Sequence, residues 1–462
     1  MSISKVQIRI DKSQVQPEAE SGKLGKDSLR GLLLRAASGS FAIKVIGQGL
    51  MFALMVLLAR TLGGDQYGIY VYVLAWINIL VLLGKMGWDT ALMRFVARYL
   101  ELEDWGGVRG ILQRSRQRVL ITSLCVSGAG ALLTTALSSR LSTDLLTTFY
   151  LGWIALPVLA LAVLRQAGLR ALRRVVLAEF PELVIRPLIV GAGVLLLAYI
   201  LALRINAATV MGLYLFAVVI SFAAGGLWLQ RSLPIKVRQA SPVFASAEWQ
   251  KVAMPLFLVS GAHMISMQAD TVMLGFLADT TQAGMYSAAS RVVTLAGFGV
   301  MAANSIAGPL MAGLHARDRS DDLQHVLNTG TKVAAWFAIG CGVLLLLFGR
   351  EVLGLFGDEF VVAYPALAIL MVGQIVNALT GLVGSLMQMC GHHALVAKVI
   401  GIAALANIIL NAMLIPAFGM YGAATATAIT TSAWSIFLAY FAWRRLGLKA
   451  AYVWWPMAGH RP

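Results

Sequence analysis

Asp270 and Arg291 are the charged side chains whose positions most invite a chemical role, because each lies inside a long apolar run. A charge there costs about 2.5–3.5 kcal/mol on insertion scales, so it needs a partner or a function. At the rise of an α-helix, Asp270 falls roughly 12 Å from one end of its run and Arg291 roughly 9 Å into the next. Matched depth on consecutive helices predicts an ion pair. That pair is either a staple between two helices or a transport site, in which the cation meets an anionic substrate or the acid takes a coupling proton.

Ser260, His263, Met267 and Asp270 recur at spacings that put them on one helical stripe. His263 could titrate near neutral pH there, or simply hydrogen-bond to a neighbouring helix. Lys44 and Gln48 lie one turn apart near the start of the first run, where Lys44 either snorkels to the interface or lines the mouth of a cavity. Lys85 and Arg186 are expected to snorkel at the same side. Gln374 and Asn377 open a polar stripe with Gly381, Gly384 and Gln388, and Asn407 and Asn411 follow on the next run. Such amides either bond sugar hydroxyls or glue helices together at about 0.6 kcal/mol each. The cations Lys44, Lys85, Arg186 and Arg291 outnumber Asp270, which suits an anionic cargo better than a cationic drug.

Other chemistries find little support. Gly22-Lys-Leu-Gly-Lys-Asp-Ser28 places its glycines too close together to cradle phosphates, so no ATP site is expected. Transport would run downhill or on a proton or sodium gradient, with no cofactor. Cys125, Cys341 and Cys390 are too few and scattered for a disulfide framework. Cys390 with His392 and His393 lacks a second pair of zinc ligands, so no metal site is expected.

The elements that must position these residues follow from composition. The 462 residues are 59% hydrophobic and 13% charged, with mean hydropathy +0.78. Soluble domains carry about 25% charged residues, so lipid must cover the excess apolar surface. The net charge of +16 reflects scarce acids, with the basic residues in short connections, and does not point to nucleic acid. Twelve runs approach the roughly 20 residues that a spanning helix needs: 40–62, 67–87, 119–138, 149–164, 183–203, 210–230, 252–278, 285–312, 332–349, 361–389, 396–416 and 422–443. The first is long enough to be a retained helix rather than a cleaved signal. The loop from Arg94 to Arg118 reads as a helix lying on the anionic inner leaflet.

With the N-terminus inside, 29 Lys and Arg fall on the cytosolic side against 4 outside, which places both termini in the cytosol. Six runs precede the basic connection 231–251 and six follow it. Val56, Leu58, Gln66, Gly68 and Tyr70 recur as Val272, Leu274, Gln282, Gly284 and Tyr286, at a constant offset of 216. The expected organisation is a polar tail (1–38), an N-lobe (39–230), the connection (231–251), a C-lobe (252–443) and a second tail (444–462). The fold class is an all-α membrane protein of about twelve transmembrane helices, in two pseudo-symmetric six-helix lobes around a central cavity.

Leu58-Ala-Arg-Thr-Leu-Gly-Gly-Asp-Gln-Tyr-Gly-Ile-Tyr70, Arg94-Phe-Val-Ala97, Asp270-Thr-Val-Met-Leu-Gly275, Ala283-Gly-Met-Tyr-Ser-Ala-Ala-Ser-Arg291 and Pro416-Ala-Phe-Gly-Met-Tyr-Gly-Ala-Ala424 resemble segments of bacterial polysaccharide-biosynthesis flippases. That family sits in the multidrug/oligosaccharidyl-lipid/polysaccharide exporter superfamily. The resemblance implies movement of a polyprenyl-linked oligosaccharide across the bacterial inner membrane. It implies the lipid bilayer and the lipid-linked glycan as partners, with a polysaccharide polymerase and export machinery as further candidates. One alternative is a cation-coupled multidrug exporter, which is expected to carry an acid in its first helix, where this chain has Lys44. The other is a membrane glycosyltransferase or polymerase, which needs a catalytic acid pair or a long outer loop.

Overall fold

The computed structural model describes residues 26–317 and 319–449, and among them every regular element is helical. Among the described residues, ten helices are long and apolar enough to cross a bilayer. Two of these are double. The helix Lys26–Lys85 is broken at Gly63 (φ 72°, ψ 170°), and His393–Leu446 is broken at Gly419 (φ 53°, ψ −132°). Such angles are cheap only without a Cβ, so glycine lets the chain turn back at both places. Twelve crossings result: α1 (26–62), α2 (64–85), α3 (Trp105–Ala136), α4 (Thr143–Ala171), α5 (Val175–Ile200), α6 (Ala207–Ser232), α7 (Ser246–Leu277), α8 (Thr280–His315), α9 (Ser320–Gly354), α10 (Asp358–Thr380), α11 (393–418) and α12 (420–446).

Several boundaries differ from the sequence reading. α1 begins at Lys26, so residues 26–38 are helical, in keeping with their leucines, alanines and arginines; residues 1–25 of the expected tail lie outside the described residues. The Arg94–Arg118 segment is two elements. Trp88–Glu101 is a separate amphipathic helix burying Trp88, Leu92, Phe95 and Val96, and residues from Trp105 onward already belong to α3. The fourth and fifth crossings start earlier than expected, because polar residues such as Asp144 and Glu179 find partners inside the lobe.

The repeat has a structural counterpart. Gln66 Oε1 accepts the backbone N–H of Ala207 at the start of α6 (3.0 Å), and Gln282 Oε1 accepts that of Met420 at the start of α12 (3.0 Å). Each glutamine also donates to a carboxylate at 2.8 Å, Asp144 in the N-lobe and Asp279 in the C-lobe. The same side chain therefore ties the second crossing to the sixth in both halves.

The lobes touch at both ends of the bundle: at one, the start of α7 packs on the N-lobe, with Ala253 against Gly87 and Trp249 Nε1 donating to Tyr99 Oη at 3.1 Å, and at the other the two repeats meet directly. Gly68 and Gly284 cross so closely that a Cβ on Gly284 would stand 2.7 Å from Gly68 Cα. Beside them Gly64 N–H donates to Glu359 Oε1 at 2.6 Å, and Arg60 Nε donates to the Leu355 carbonyl at 2.6 Å. Phe52 meets Phe356, and Tyr67 meets Phe360, edge to face at 5.6 Å. A shared apolar core runs through this end, whereas Ala303, Met311, Leu327, Leu386, Val396 and Leu438 form a separate core toward the other end of the C-lobe.

Candidate functional site

Asp270 sits where α7, α8, α11 and α12 converge, and is 6% exposed. Tyr286 Oη and Thr427 Oγ1 each donate to its Oδ2 at 2.5 Å, and Asn411 Nδ2 donates to its Oδ1 at 2.7 Å. Asn411 also donates to Asn407 Oδ1, and Asn407 to Thr427 Oγ1, both at 3.1 Å. A buried carboxylate needs a cation or several donors. This one has donors only, and Asn411 Oδ1 is buried without a hydrogen-bond partner. Carboxylate, amide and hydroxyl oxygens gathered in this way can hold a proton or a hard monovalent cation.

Arg291 is not the partner of Asp270, which corrects the expected ion pair. The five residues from Tyr286 to Arg291 turn a helix through about 140° beyond one full turn. With Tyr286 aimed at Asp270, Arg291 must face elsewhere. It is exposed, within electrostatic range of Tyr67 on the N-lobe. The polar stripe of α7 also changes surroundings along its length: His263 and Met267 are exposed and Asp270 is buried.

The N-lobe holds a second charged group that the sequence reading misplaced. A π-helical turn, Pro181–Ile185, places Glu182 and Arg186 on the inner side of α5. Arg165, which the expected run 149–164 leaves among the cytosolic cations, is 5% exposed inside α4; it donates to Glu182 Oε1 at 3.0 Å and to the Ser221 carbonyl at 2.5 Å. Arg186 pairs with the other oxygen of Glu182, and its guanidinium lies 5.5 Å from the centre of the Tyr214 ring. Lys85 is buried against Asp89 at 2.6 Å. Neither Lys85 nor Arg186 snorkels, because half-buried carboxylates, Asp89 at the start of the next helix and Glu182 one turn earlier on α5, hold them inward.

The remaining candidates lie apart. Lys44 and Gln48 are exposed on α1, beside the face that packs Gly47 onto Leu183. Asn377 Oδ1 accepts from Ser435 Oγ at 2.9 Å, which ties α10 to α12, and Gln374 packs beside Gly297. Of the sequence candidates, the structure brings together Asp270, Asn407 and Asn411. It adds Tyr286, Thr427, Arg165, Glu182 and Tyr214. Tyr286 had a signal, since it is the repeated tyrosine of Gln-x-Gly-x-Tyr. Glu182 was hidden because the fifth run was started at residue 183, just past it, whereas the crossing begins at Val175.

Two repeat-related six-helix lobes with buried ionisable groups define a multi-pass membrane protein of transporter fold. Residues 33–315 match the family model described as "Polysaccharide biosynthesis protein", and the chain belongs to that family. Residues 255–413 also match the MatE model. The chain is similar to the "Probable low-salt glycan biosynthesis flippase Agl15" of Haloferax volcanii, 24% identical over 91% of this chain and 85% of that one. Among solved structures it resembles the inward-facing conformation of a multidrug resistance MATE family transporter (TM-score 0.71, 13% identity, 89% of this chain and 98% of that one). It also resembles the lipid II flippase MurJ in an inward closed conformation (TM-score 0.66, 16% identity, 88% and 87%). These relatives are flippases or transporters, and the expectation that the chain is not an enzyme stands with them.

Proposed function

We propose that this protein flips a lipid-linked oligosaccharide across the cytoplasmic membrane by alternating access, with both ends of the chain in the cytosol. The observation that carries the reading is the pairing of two repeat-related lobes whose equivalent glycines, Gly68 and Gly284, meet face to face at one end of the bundle. Rocking about such a contact exposes the space between lobes to one side and then the other. Family membership, and likeness to a relative named as a glycan flippase over nearly the whole chain, support the cargo class. The charge bias of the connections supports the orientation and makes the Gly68–Gly284 end the outer one.

The polar head would cross between the lobes while the lipid tail stays in the bilayer. Exposed Lys44 and Arg291 offer cations to an anionic headgroup. Asp270, set apart from the lobe interface, serves as the coupling group for a proton or sodium ion. The multidrug-exporter reading has the fold likeness in its favour. Against it stands α1, whose described membrane portion carries Lys44 and no acid. Removing the gene in the native host tests the choice. Lipid-linked glycan should accumulate on the cytosolic leaflet and be cleared by the wild-type gene. Drug hypersensitivity with normal glycan export would favour the exporter.

A further inference from the structure

A cavity of about 120 Å³ lies against the charged group of the N-lobe. Its polar walls are Asn78 and Lys85 from α2, Glu182 and Arg186 from α5, and Tyr214 from α6. Met264 of α7 is the one wall supplied by the C-lobe. Around it stand three cations, Lys85, Arg165 and Arg186, against two acids, Asp89 and Glu182. Glu182 is shared between two arginines, and Arg186 Nε is buried without a hydrogen-bond partner. A buried excess cation is costly unless an anion completes the set. The volume is that of roughly four waters, enough for a carboxylate or phosphate group but too small for a whole sugar.

We propose that this cavity is an oxyanion subsite, which takes one acidic group of the cargo only while α7 lies against the N-lobe. Arg186 supplies the charge through its free Nε, and Tyr214 and Asn78 supply neutral hydrogen bonds. Lys85 is the second cation, loosened from Asp89 when the anion enters. Because Met264 closes the site, an anion held there favours this arrangement of the lobes over any in which α7 swings away. The inference deepens the flippase reading and rests on it only for the origin of the anion. That origin is either the phosphate linkage to the lipid or a carboxylate on an acidic sugar.

The test uses purified full-length protein and three probes: inorganic pyrophosphate, glucuronate and, as a neutral control, glucose. Pyrophosphate or glucuronate should raise the Tm saturably, and glucose should not. Pyrophosphate alone would identify the phosphate linkage, and glucuronate alone the acidic sugar. Arg186→Gln should weaken binding at least about tenfold. Tyr214→Phe, which leaves every charge in place, should weaken it less and guards against a misfolded arginine variant. In a protein whose native cysteines are replaced by serine, Met264→Cys should react more slowly with maleimide when the anion is present. A Tm that neither anion moves would overturn the proposal, leaving the charges as structural ion pairs. So would binding unchanged in both Arg186→Gln and Tyr214→Phe. Either result is read without any transport measurement, so it leaves the flippase reading to its own test.

Discussion

Gly68 and Gly284, the same residue of the internal repeat, face each other across the two lobes so closely that neither position has room for a side chain. Their contact holds one end of the two halves together, alongside Glu359 on the Gly64 N–H and Arg60 on the Leu355 carbonyl. Gly284→Val should force this end apart while each lobe keeps its fold. With Cys125, Cys341 and Cys390 replaced by serine, a cysteine at position 67 should react about tenfold faster with maleimide in the Gly284→Val background, as a population shift toward the parted state requires. Equal reaction rates would mean that the contact does not govern closure.

The glutamine tethers offer a symmetric test. Gln66→Leu strands the Ala207 N–H, and Gln282→Leu strands the Met420 N–H. Leaving a part-buried donor unpaired costs about 1–3 kcal/mol. Both variants should lower the Tm in detergent by comparable amounts. A large loss in one and none in the other would show that the two halves do not share the role.

Much of this fold is legible in the residues themselves. Lipid leaves apolar length as the dominant signal, so all twelve crossings are visible, as is the offset that pairs Gln66 with Gln282. The sites are less so. Depth along a helix can be counted, but the direction of a side chain depends on which neighbour it finds. Asp270 was matched to Arg291 by depth, yet α8 turns Tyr286 toward it and Arg291 away. Glu182 points inward because of a π-helical turn, an insertion that leaves no periodic trace. Asn407 and Asn411 were found because a 4-residue spacing of amides survives whichever partner they meet.

Asp270 and Arg291 should separate in mutants, because they do not pair. Arg291→Ala should accumulate normally and lose most glycan export, since it removes an exposed cation and strands no buried group. Asp270→Ala strands Tyr286, Thr427 and Asn411 and should cost several kcal/mol of stability, at about 1–3 for each unpaired group. Asp270→Asn retains the shape and should be abundant but insensitive to an imposed proton or sodium gradient. Restored abundance and export in Asp270→Ala/Arg291→Ala would contradict this and revive the staple.

Orientation can be checked in intact cells. A cysteine at Thr281, beside the lobe contact, should react with an impermeant maleimide from outside, and one at Ala240 should stay silent until the cells are opened. The reverse pattern would invert the topology that the basic connections imply.

The most direct measurement places purified protein in liposomes containing a polyprenyl-diphosphate oligosaccharide and follows its appearance in the opposite leaflet with an added glycosidase. Wild-type protein should render nearly all of the lipid-linked glycan cleavable, faster under a proton or sodium gradient, while Asp270→Asn shows no such acceleration and protein-free liposomes leave half protected. If the protected half persists with wild-type protein under either gradient, while the same liposomes extrude a cationic dye, this chain is a drug exporter and not a glycan flippase.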